Sequence, residues 1–264
     1  MQINMKVHAS LTDFPIFSQI ETFFKKFKEA QVDGLELVLG AKSRFEYARL
    51  AYLSEKYALP ISSLHQPPWS GVGLYFDEEF LEVGKKLGVR HVVFHPLAFH
   101  SFTSRGMKKY FERLARLQEK WRVVVMLENM PNDMAYNKLH DGSSEHMIHH
   151  LEAMNVAADT YGFLLTYDVS HAEIINPPQS PIFQKLFPKI GNIHASSFRL
   201  GKHHLPFTMG EFMAKEFVHF LDQKKYQGLF TLEVYYPKLG LVMNKYDFSA
   251  IADSVAIVKK ALDK

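Results

Sequence analysis

The chain repeats one unit from end to end, a short apolar run followed by a segment with the spacing of a helix. Eight such runs occur, and their starts lie about 27 to 40 residues apart, which is the length that a strand, a helix and two connections require. Between the runs, apolar residues recur at every third or fourth position, as in Phe80, Val83 and Leu87, which predicts helices with one buried face. The predicted strands are residues 3–9, 34–39, 61–65, 91–95, 123–128, 163–168, 190–194 and 229–234.

Runs this apolar are typical of parallel strands that are buried on both faces. Eight strand–helix units in a chain of 264 residues are the number at which a parallel sheet closes into a (β/α)8 barrel. The alternative is a doubly wound open sheet, but no glycine-rich phosphate-binding turn follows any of the runs. No linker rich in glycine, serine or proline divides the chain. We therefore predict one α/β domain, a (β/α)8 TIM barrel over residues 1–264.

The absence of cysteine from the sequence restricts the possible chemistry. It excludes disulfide bonds, thiolate metal ligands and a cysteine nucleophile, so any bound metal must be held by His, Asp or Glu. The N-terminus shows no secretory signal, and no apolar stretch reaches the roughly 18 residues of a membrane span. We therefore predict a cytoplasmic protein without membrane contact. The net charge of +3 does not require a polyanionic partner.

Six of the predicted strands end in a residue that can bind a metal. Because the C-terminal ends of the strands meet at one rim of a barrel, these side chains are expected to converge there. So many imidazoles and carboxylates in one place would be unstable unless cations lay among them. Proline follows several of them closely, which stops the strand. The six residues are His65, His95, Glu128, Asp168, His194 and Glu233, and His171 follows shortly after Asp168.

The motifs around these residues resemble those of the xylose-isomerase-like barrel superfamily, and the resemblance covers essentially the whole chain. This superfamily contains the sugar isomerases and epimerases and the endonuclease IV family of abasic-site nucleases. The motifs occur in the order in which the superfamily carries its ligands. They are Leu64-His65-Gln66-Pro67, Phe94-His95-Pro96, Leu127-Glu128-Asn129, Asp168-Val169-Ser170-His171, Ile193-His194 and Leu232-Glu233.

By this resemblance, a metal site common to both branches is held by four residues, Glu128, Asp168, His194 and Glu233. His65 and His95 resemble the imidazoles that complete a second site in the nuclease branch, with Glu128 bridging the two ions. The donor types suit Zn, Mn, Co or Mg, and the resemblance implies one to three divalent ions per chain.

A third ion in the nuclease branch corresponds to His171 with either His203 or His204. The nuclease pattern has an aspartate two residues before its histidine, and this chain has Gly201 or Lys202 there. His204-Leu205-Pro206 resembles the equivalent loop of the sugar-isomerase-like members, and we include His204 in the predicted ligand set, while the sequence leaves the choice between His203 and His204 open. Lys202 and His203 are predicted to contact the substrate, and Lys202 would suit a phosphate group.

The resemblance implies first a metal-dependent isomerase or epimerase that acts on a small sugar or sugar phosphate. Glu128 and Glu233 would then transfer the proton next to a metal-chelated carbonyl, and Glu36 and Trp69 would line the sugar pocket. The alternative is a metal-dependent phosphodiesterase that cleaves DNA at abasic sites, for which DNA is the partner. Another metal-dependent hydrolase or lyase, and a barrel that binds metal or sugar without catalysis, also remain open. The sequence does not indicate the oligomeric state.

Overall fold

In the computed structural model, parallel strands close into a barrel. The structure describes residues 5–12, 19–38, 46–66, 77–97, 100–131, 144–199, 202–234 and 248–263. The barrel strands run in the circular order β1-β10-β7-β6-β5-β4-β3-β2, and each pairs in parallel with both neighbours. They are β1 (Val7–Thr12), β2 (Gly34–Val38), β3 (Ile61–His65), β4 (His91–Phe94), β5 (Val124–Glu128), β6 (Leu164–Asp168), β7 (Ile190–Ala195) and β10 (Leu229–Leu232). The predicted (β/α)8 barrel is confirmed, and the open sheet is wrong.

Helices follow the strands and cover the outside of the barrel. In α4, for example, the buried residues Met107, Tyr110, Leu114 and Leu117 recur at helical spacing, and Ser104 caps the N-terminus by accepting a hydrogen bond from the Met107 N–H. No helix in the described residues is long and apolar enough to cross a membrane. The helices are α1 (Ile20–Glu29), α2 (Tyr47–Tyr57), α3 (Asp77–Lys86), α4 (Arg105–Trp121), α5 (Ser144–Tyr161), α6 (Val169–Ala172), α7 (Pro181–Leu186), α8 (Ala214–Gln223) and α9 (Phe248–Leu262).

Two further strands lie outside the barrel and were absent from the prediction. They are β8 (Ser197–Arg199) and β9 (Lys202–Leu205), which pair antiparallel directly after β7. This hairpin begins two residues after β7 ends, so it places His203 and His204 beside the barrel rim.

The prediction for the first strand was wrong in its limits. The observed strand β1 begins at Val7 and continues to Thr12 instead of ending at residue 9. Ser10 does not stop it, because strand side chains alternate in direction and the apolar series Val7, Ala9, Leu11 is buried throughout. His8 therefore lies at the start of the strand, away from the rim.

Candidate active site

Glu128, the last residue of β5, lies at the centre of the rim cluster. Its Oε2 atom is 2.8 Å from Nε2 of His65 and 2.9 Å from Nε2 of His95. Its Oε1 atom is 3.0 Å from Nδ1 of His194. All four side chains are buried, so one carboxylate with both oxygens engaged joins strands β3, β5 and β7 to the residue that follows β4.

Glu233 completes this cluster from the residue that follows β10. Its Oε2 atom lies 2.8 Å from Nδ1 of His194, the same nitrogen that faces Glu128. Ligand atoms of His65, Glu128, His194 and Glu233 all lie within 4.8 Å of one another. The structure thus brings side chains that are far apart in the sequence into a volume that a single cation can occupy.

Asp168 ends β6 and has one engaged and one unengaged oxygen. Its Oδ1 atom accepts hydrogen bonds from the Ser170 hydroxyl (2.8 Å) and from the His171 N–H (2.7 Å). Its Oδ2 atom is buried and makes no hydrogen bond with any described residue. That atom lies 3.9 Å from Nδ1 of His194 and 3.8 Å from Nδ1 of His171, between the two imidazoles.

Asn129 fixes the position of Asp168. Its side-chain oxygen accepts from the Asp168 N–H (2.8 Å), and its amide nitrogen donates to the Asp168 carbonyl oxygen (2.9 Å). The residue directly after Glu128 is therefore bound to the residue that ends the neighbouring strand, so the two carboxylates are held in one relative position.

His171 and His204 form a second group with Asp168. Ligand atoms of these three residues lie within 4.8 Å of one another, and His204 comes from the hairpin strand β9. The backbone of His204 has a φ of 58°, in the left-handed region that a residue with a side chain rarely occupies. His203 turns elsewhere, since its Nδ1 atom lies 2.8 Å from the Ser170 carbonyl oxygen and its Nε2 atom lies 3.9 Å from Glu173.

The pKa values of the cluster depend on burial and on the positive and negative side chains that lie close to each other. Burial by itself lowers the pKa of His194, but Glu36, Glu233 and Glu128 outweigh it and hold the pKa well above its ordinary value. Burial raises the pKa of Glu128 and Glu233, but the imidazoles, His194 foremost, hold both well below their ordinary value. Both glutamates are therefore carboxylates at neutral pH.

The pKa values of Asp168, His171 and His204 shift in the opposite direction. Burial, with the Glu233 and Glu128 carboxylates nearby, raises the pKa of Asp168 to about 7, although His204 opposes the change. Burial also lowers the pKa of His171 and of His204 below the ordinary value for histidine. The three groups thus lack enough positive charge among the described residues to balance the carboxylate.

The residues present fit a divalent cation. A buried Asp168 oxygen that accepts no hydrogen bond from any described residue lies between imidazole nitrogens, and such an atom costs free energy unless something neutralises it. The donors are imidazole nitrogens and carboxylate oxygens, which are the ligand types of Zn, Mn, Co and Mg. The fit concerns both groups, because Asp168 faces each of them.

Glu36 lies below this cluster, in the middle of β2, and its side chain has no exposed surface. Its Oε1 atom is 2.9 Å from Nε2 of His194. The two side chains form a buried ion pair. The structure thus places Glu36 against His194; whether it also lines a substrate pocket, as the sequence predicted, stays a prediction.

The structure brings together the eight predicted metal ligands but not all the predicted substrate contacts. Lys202 is exposed at the start of β9, and His203 is partly buried behind His204. Trp69 lies outside the described residues.

Sequence reasoning missed a layer of polar side chains under the rim. Each of these residues comes two positions before a rim residue that lies in the same strand or directly follows it, so its side chain points the same way. They are fully buried, and period-two spacing within each strand is the signal that could have identified them. The layer consists of Ser63, Thr166, Asn192 and Thr231.

Comparison with known proteins places this arrangement in context. A family model described as xylose isomerase-like TIM barrel matches residues 24–261. No curated protein matches the chain in sequence. Similar solved structures include 3-keto-D-glucoside 4-epimerase from E. coli, with a TM-score of 0.71 at 18% identity over 97% of this chain and 100% of the other.

Two further structures represent the two branches. D-allulose 3-epimerase from Methylomonas sp., in complex with D-allulose, has a TM-score of 0.68 at 16% identity and covers 97% of this chain and 96% of its own. An AP endonuclease of family 2 from Brucella melitensis has a TM-score of 0.65 at 14% identity and covers 89% and 93%. At these identities the likeness shows the fold and does not transfer an activity. Because the family model covers most of its length, the chain belongs to the xylose isomerase-like TIM barrel family.

Proposed function

We propose that the protein is a divalent-metal-dependent isomerase or epimerase that acts on a small sugar or sugar phosphate. The observation that carries this proposal is the pair of buried carboxylates, Glu128 and Glu233, which contact the same nitrogen of His194 at 3.0 and 2.8 Å. They come from β5 and from the end of β10, and β6 and β7 lie between those strands in the barrel order. Two carboxylates that approach one point from different sides can act on the two faces of one carbon.

The residues suited to hold the ion are Glu128, Asp168, His194 and Glu233, and a bound divalent ion would polarise a substrate carbonyl and so acidify the neighbouring C–H. In this reaction one glutamate accepts the proton from that carbon. The other glutamate takes up a proton from solvent and delivers it to the carbon, and delivery to the opposite face inverts the configuration. The low pKa of each glutamate makes it an ionised base at neutral pH, which suits the accepting role.

The barrel mouth offers further groups for the rest of a sugar. The Lys202 side chain is exposed beside the partly buried His203 on the hairpin, and we propose that these two contact a hydroxyl or phosphate group of the substrate. Glu36 and Trp69 stay predicted pocket residues. Several structures of similar fold are sugar epimerases, which supports the choice of a small sugar.

A phosphodiesterase that acts at abasic sites is the second candidate, and one observation favours it. His65 and His95 both approach the same oxygen of Glu128, at 2.8 and 2.9 Å, so the cluster holds more imidazoles than a single ion requires. A net charge of +3 over 264 residues provides little general attraction for DNA.

Proton exchange with solvent distinguishes the candidates. The protein, loaded with Mn²⁺, is incubated in D₂O with a series of ketohexoses and their phosphates, and deuterium at the carbon next to the carbonyl is followed by NMR. In parallel, the same preparation is incubated with a duplex that contains one abasic site. We expect deuterium incorporation with at least one sugar and an intact duplex. Nicking without exchange would establish the second candidate, and bound sugar that never exchanges would indicate a barrel that binds without catalysis.

A further inference from the structure

Glu36 is a charged side chain in a place where charge is costly. It is fully buried inside the barrel, where an ionised carboxylate is stable only if partners satisfy it. Its neighbours there are Ser63 on β3 and Asn192 and His194 on β7. Glu36 is not part of the rim cluster, so the presence of this buried charge requires a separate explanation.

Two hydrogen bonds fix the orientation of this carboxylate. Its Oε2 atom accepts from the Ser63 hydroxyl at 2.7 Å and from the Asn192 amide at 3.1 Å. Since both donors approach the same oxygen, the other oxygen, Oε1, is directed at Nε2 of His194. Among the described residues, neither Oε1 nor that nitrogen makes a hydrogen bond elsewhere.

Asn192 is itself fixed from the next strand. Its Oδ1 atom accepts a hydrogen bond of 3.1 Å from the Thr231 hydroxyl, so its amide nitrogen must face Glu36. The orientation of Glu36 therefore depends on three neighbouring polar side chains, which belong to the layer two positions below the rim.

The consequence concerns His194. A carboxylate only accepts hydrogen bonds, so the imidazole nitrogen that faces Glu36 carries a proton. The other nitrogen, Nδ1, faces the carboxylates of Glu128 and Glu233 at 3.0 and 2.8 Å, and an ion bound among these groups would replace the proton of Nδ1 and be held by its lone pair. We propose that Glu36 is a positioning residue that holds the His194 ring with Nε2 inward and Nδ1 toward the rim, and thereby sets the metal affinity of the site.

This inference rests on the proposed metal dependence, but it does not depend on which reaction the site performs. It assigns Glu36 a role that is exerted through His194 and that does not require contact with the substrate. A carboxylate that fixes the ring of a metal-binding histidine raises metal affinity, and the loss of such partners typically weakens binding about 10- to 100-fold.

The substitution Glu36→Gln tests the inference with little change in shape. In the variant, the amide oxygen takes the place that accepts from Ser63 and Asn192, so the amide NH₂ faces His194. The imidazole Nε2 must then accept, which moves the ring proton to Nδ1, the nitrogen that the ion requires. We expect the Kd for Mn²⁺, measured by calorimetry on the full chain, to rise about 10- to 100-fold.

The ring of His194 provides a readout that a merely structural role would not alter. In the Zn²⁺-loaded protein, two-bond ¹H–¹⁵N NMR of the histidine rings should show His194 protonated at Nε2, and in Glu36→Gln that signal should be lost. The control variant is Glu152→Gln, which removes an equal charge from a half-exposed residue on α5 that pairs with Lys185. We expect it to bind Mn²⁺ as the unchanged protein does.

The variant Ser63→Ala covers the case in which Glu36→Gln does not fold. It removes one donor from Glu36 and keeps the charge, so the Kd for Mn²⁺ should rise roughly 2- to 10-fold. Wild-type affinity in a folded Glu36→Gln, or in Ser63→Ala if the first variant is unfolded, would overturn the inference. Weakened binding in a protein that exchanges no sugar proton would leave the role of Glu36 intact and refute the proposed function, whereas sugar exchange with unchanged affinity would do the reverse.

Discussion

The imidazole rings of His171 and His204 face each other through their Nε2 atoms, which lie 3.1 Å apart. Each ring directs Nδ1 at a backbone carbonyl oxygen, that of Asn129 at 2.8 Å for His171 and that of Glu233 at 3.2 Å for His204. Each Nδ1 is therefore the protonated nitrogen, and in two neutral rings both Nε2 atoms carry lone pairs. Two lone pairs at this distance repel each other unless a proton or a cation lies between them. Since burial lowers the pKa of both residues, the arrangement favours the cation.

This relationship predicts the number of ions that the chain binds. With one ion for each of the two groups of ligands, elemental analysis of Mn²⁺- or Zn²⁺-loaded protein should give two ions per chain. The substitution His204→Asn should remove one of them, and asparagine tolerates the positive φ of 58° at this position.

The adjacent histidine provides a matched control. The His203 ring packs edge-on against His171 at 5.7 Å, but its nitrogens face Ser170 and Glu173, so His203→Asn should leave the count at two. A loss of metal with His203→Asn and none with His204→Asn would contradict the assignment and exchange the roles of the two residues.

The strand-end cluster could be predicted because each of its residues interrupts an apolar run at a fixed place in the repeat. His65 and Glu128 end strands in which the two preceding residues are buried, and the closed barrel brings such ends to one rim. The choice between His203 and His204 depends on the β8–β9 pairing and on the left-handed backbone of His204, which adjacent residues of the same type do not reveal.

Glu36 shows a second limit of the sequence. It lies within the apolar run Gly34–Val38, and its position indicates a strand but not what its side chain meets across the barrel. Its contact with His194 joins β2 to β7, two strands that are not neighbours in the barrel. Such a contact depends on the diameter of the barrel and on the stagger of its strands, which local spacing does not determine.

Asn129 should contribute strongly to stability. Its side chain makes two hydrogen bonds with the backbone of Asp168 and has no exposed surface. Substitution by alanine leaves a buried N–H and a buried carbonyl without these partners, at a cost of about 1–3 kcal/mol for each group. We expect Asn129→Ala to lower the free energy of unfolding by about 2–5 kcal/mol in urea titrations of the metal-free protein.

Asn155→Ala is the comparison for this measurement. Asn155 lies on α5, where its side-chain oxygen accepts one hydrogen bond from Lys189 at 2.6 Å, and alanine is the best helix former. Its loss should cost about 1 kcal/mol or less. Equal effects of the two substitutions would show that Asn129 does not fix the β5–β6 rim.

His8 should make stability depend on pH. Burial lowers its pKa from 6.5 to about 4, although Glu36 and Asp33 oppose the change. Between these two values the unfolded chain binds the proton and the folded protein does not, so the free energy of unfolding falls as the pH drops through this range. From pH 7 to pH 5, this residue should account for a loss of about 2 kcal/mol.

Urea titrations of wild type and His8→Asn at the two pH values isolate this contribution. Other groups, including Asp168 with its raised pKa, titrate in both proteins, so only the difference between the two losses reports on His8. We expect the variant to lose about 2 kcal/mol less than wild type on acidification. The same loss in both proteins would mean that His8 is protonated in the folded state at pH 5.

In the proposed proton transfer, Glu128 and Glu233 have opposite roles, because one removes the proton and the other returns it. In Mn²⁺-saturated protein, Glu128→Gln and Glu233→Gln should each slow net conversion of the sugar about 10²- to 10⁴-fold, because each removes the group that serves one face of the carbon. Each variant retains one of the two bases and can therefore still remove the proton from one of the two epimers. In D₂O that epimer should become deuterated, and it should be a different epimer for each variant. Glu152→Gln, which changes a half-exposed carboxylate on α5 that pairs with Lys185, should change neither rate. Loss of exchange with both epimers in both variants would instead indicate that the glutamates serve only to hold the ion. A metal ligand is needed for proton removal from either face of the carbon, whereas each base serves only one face.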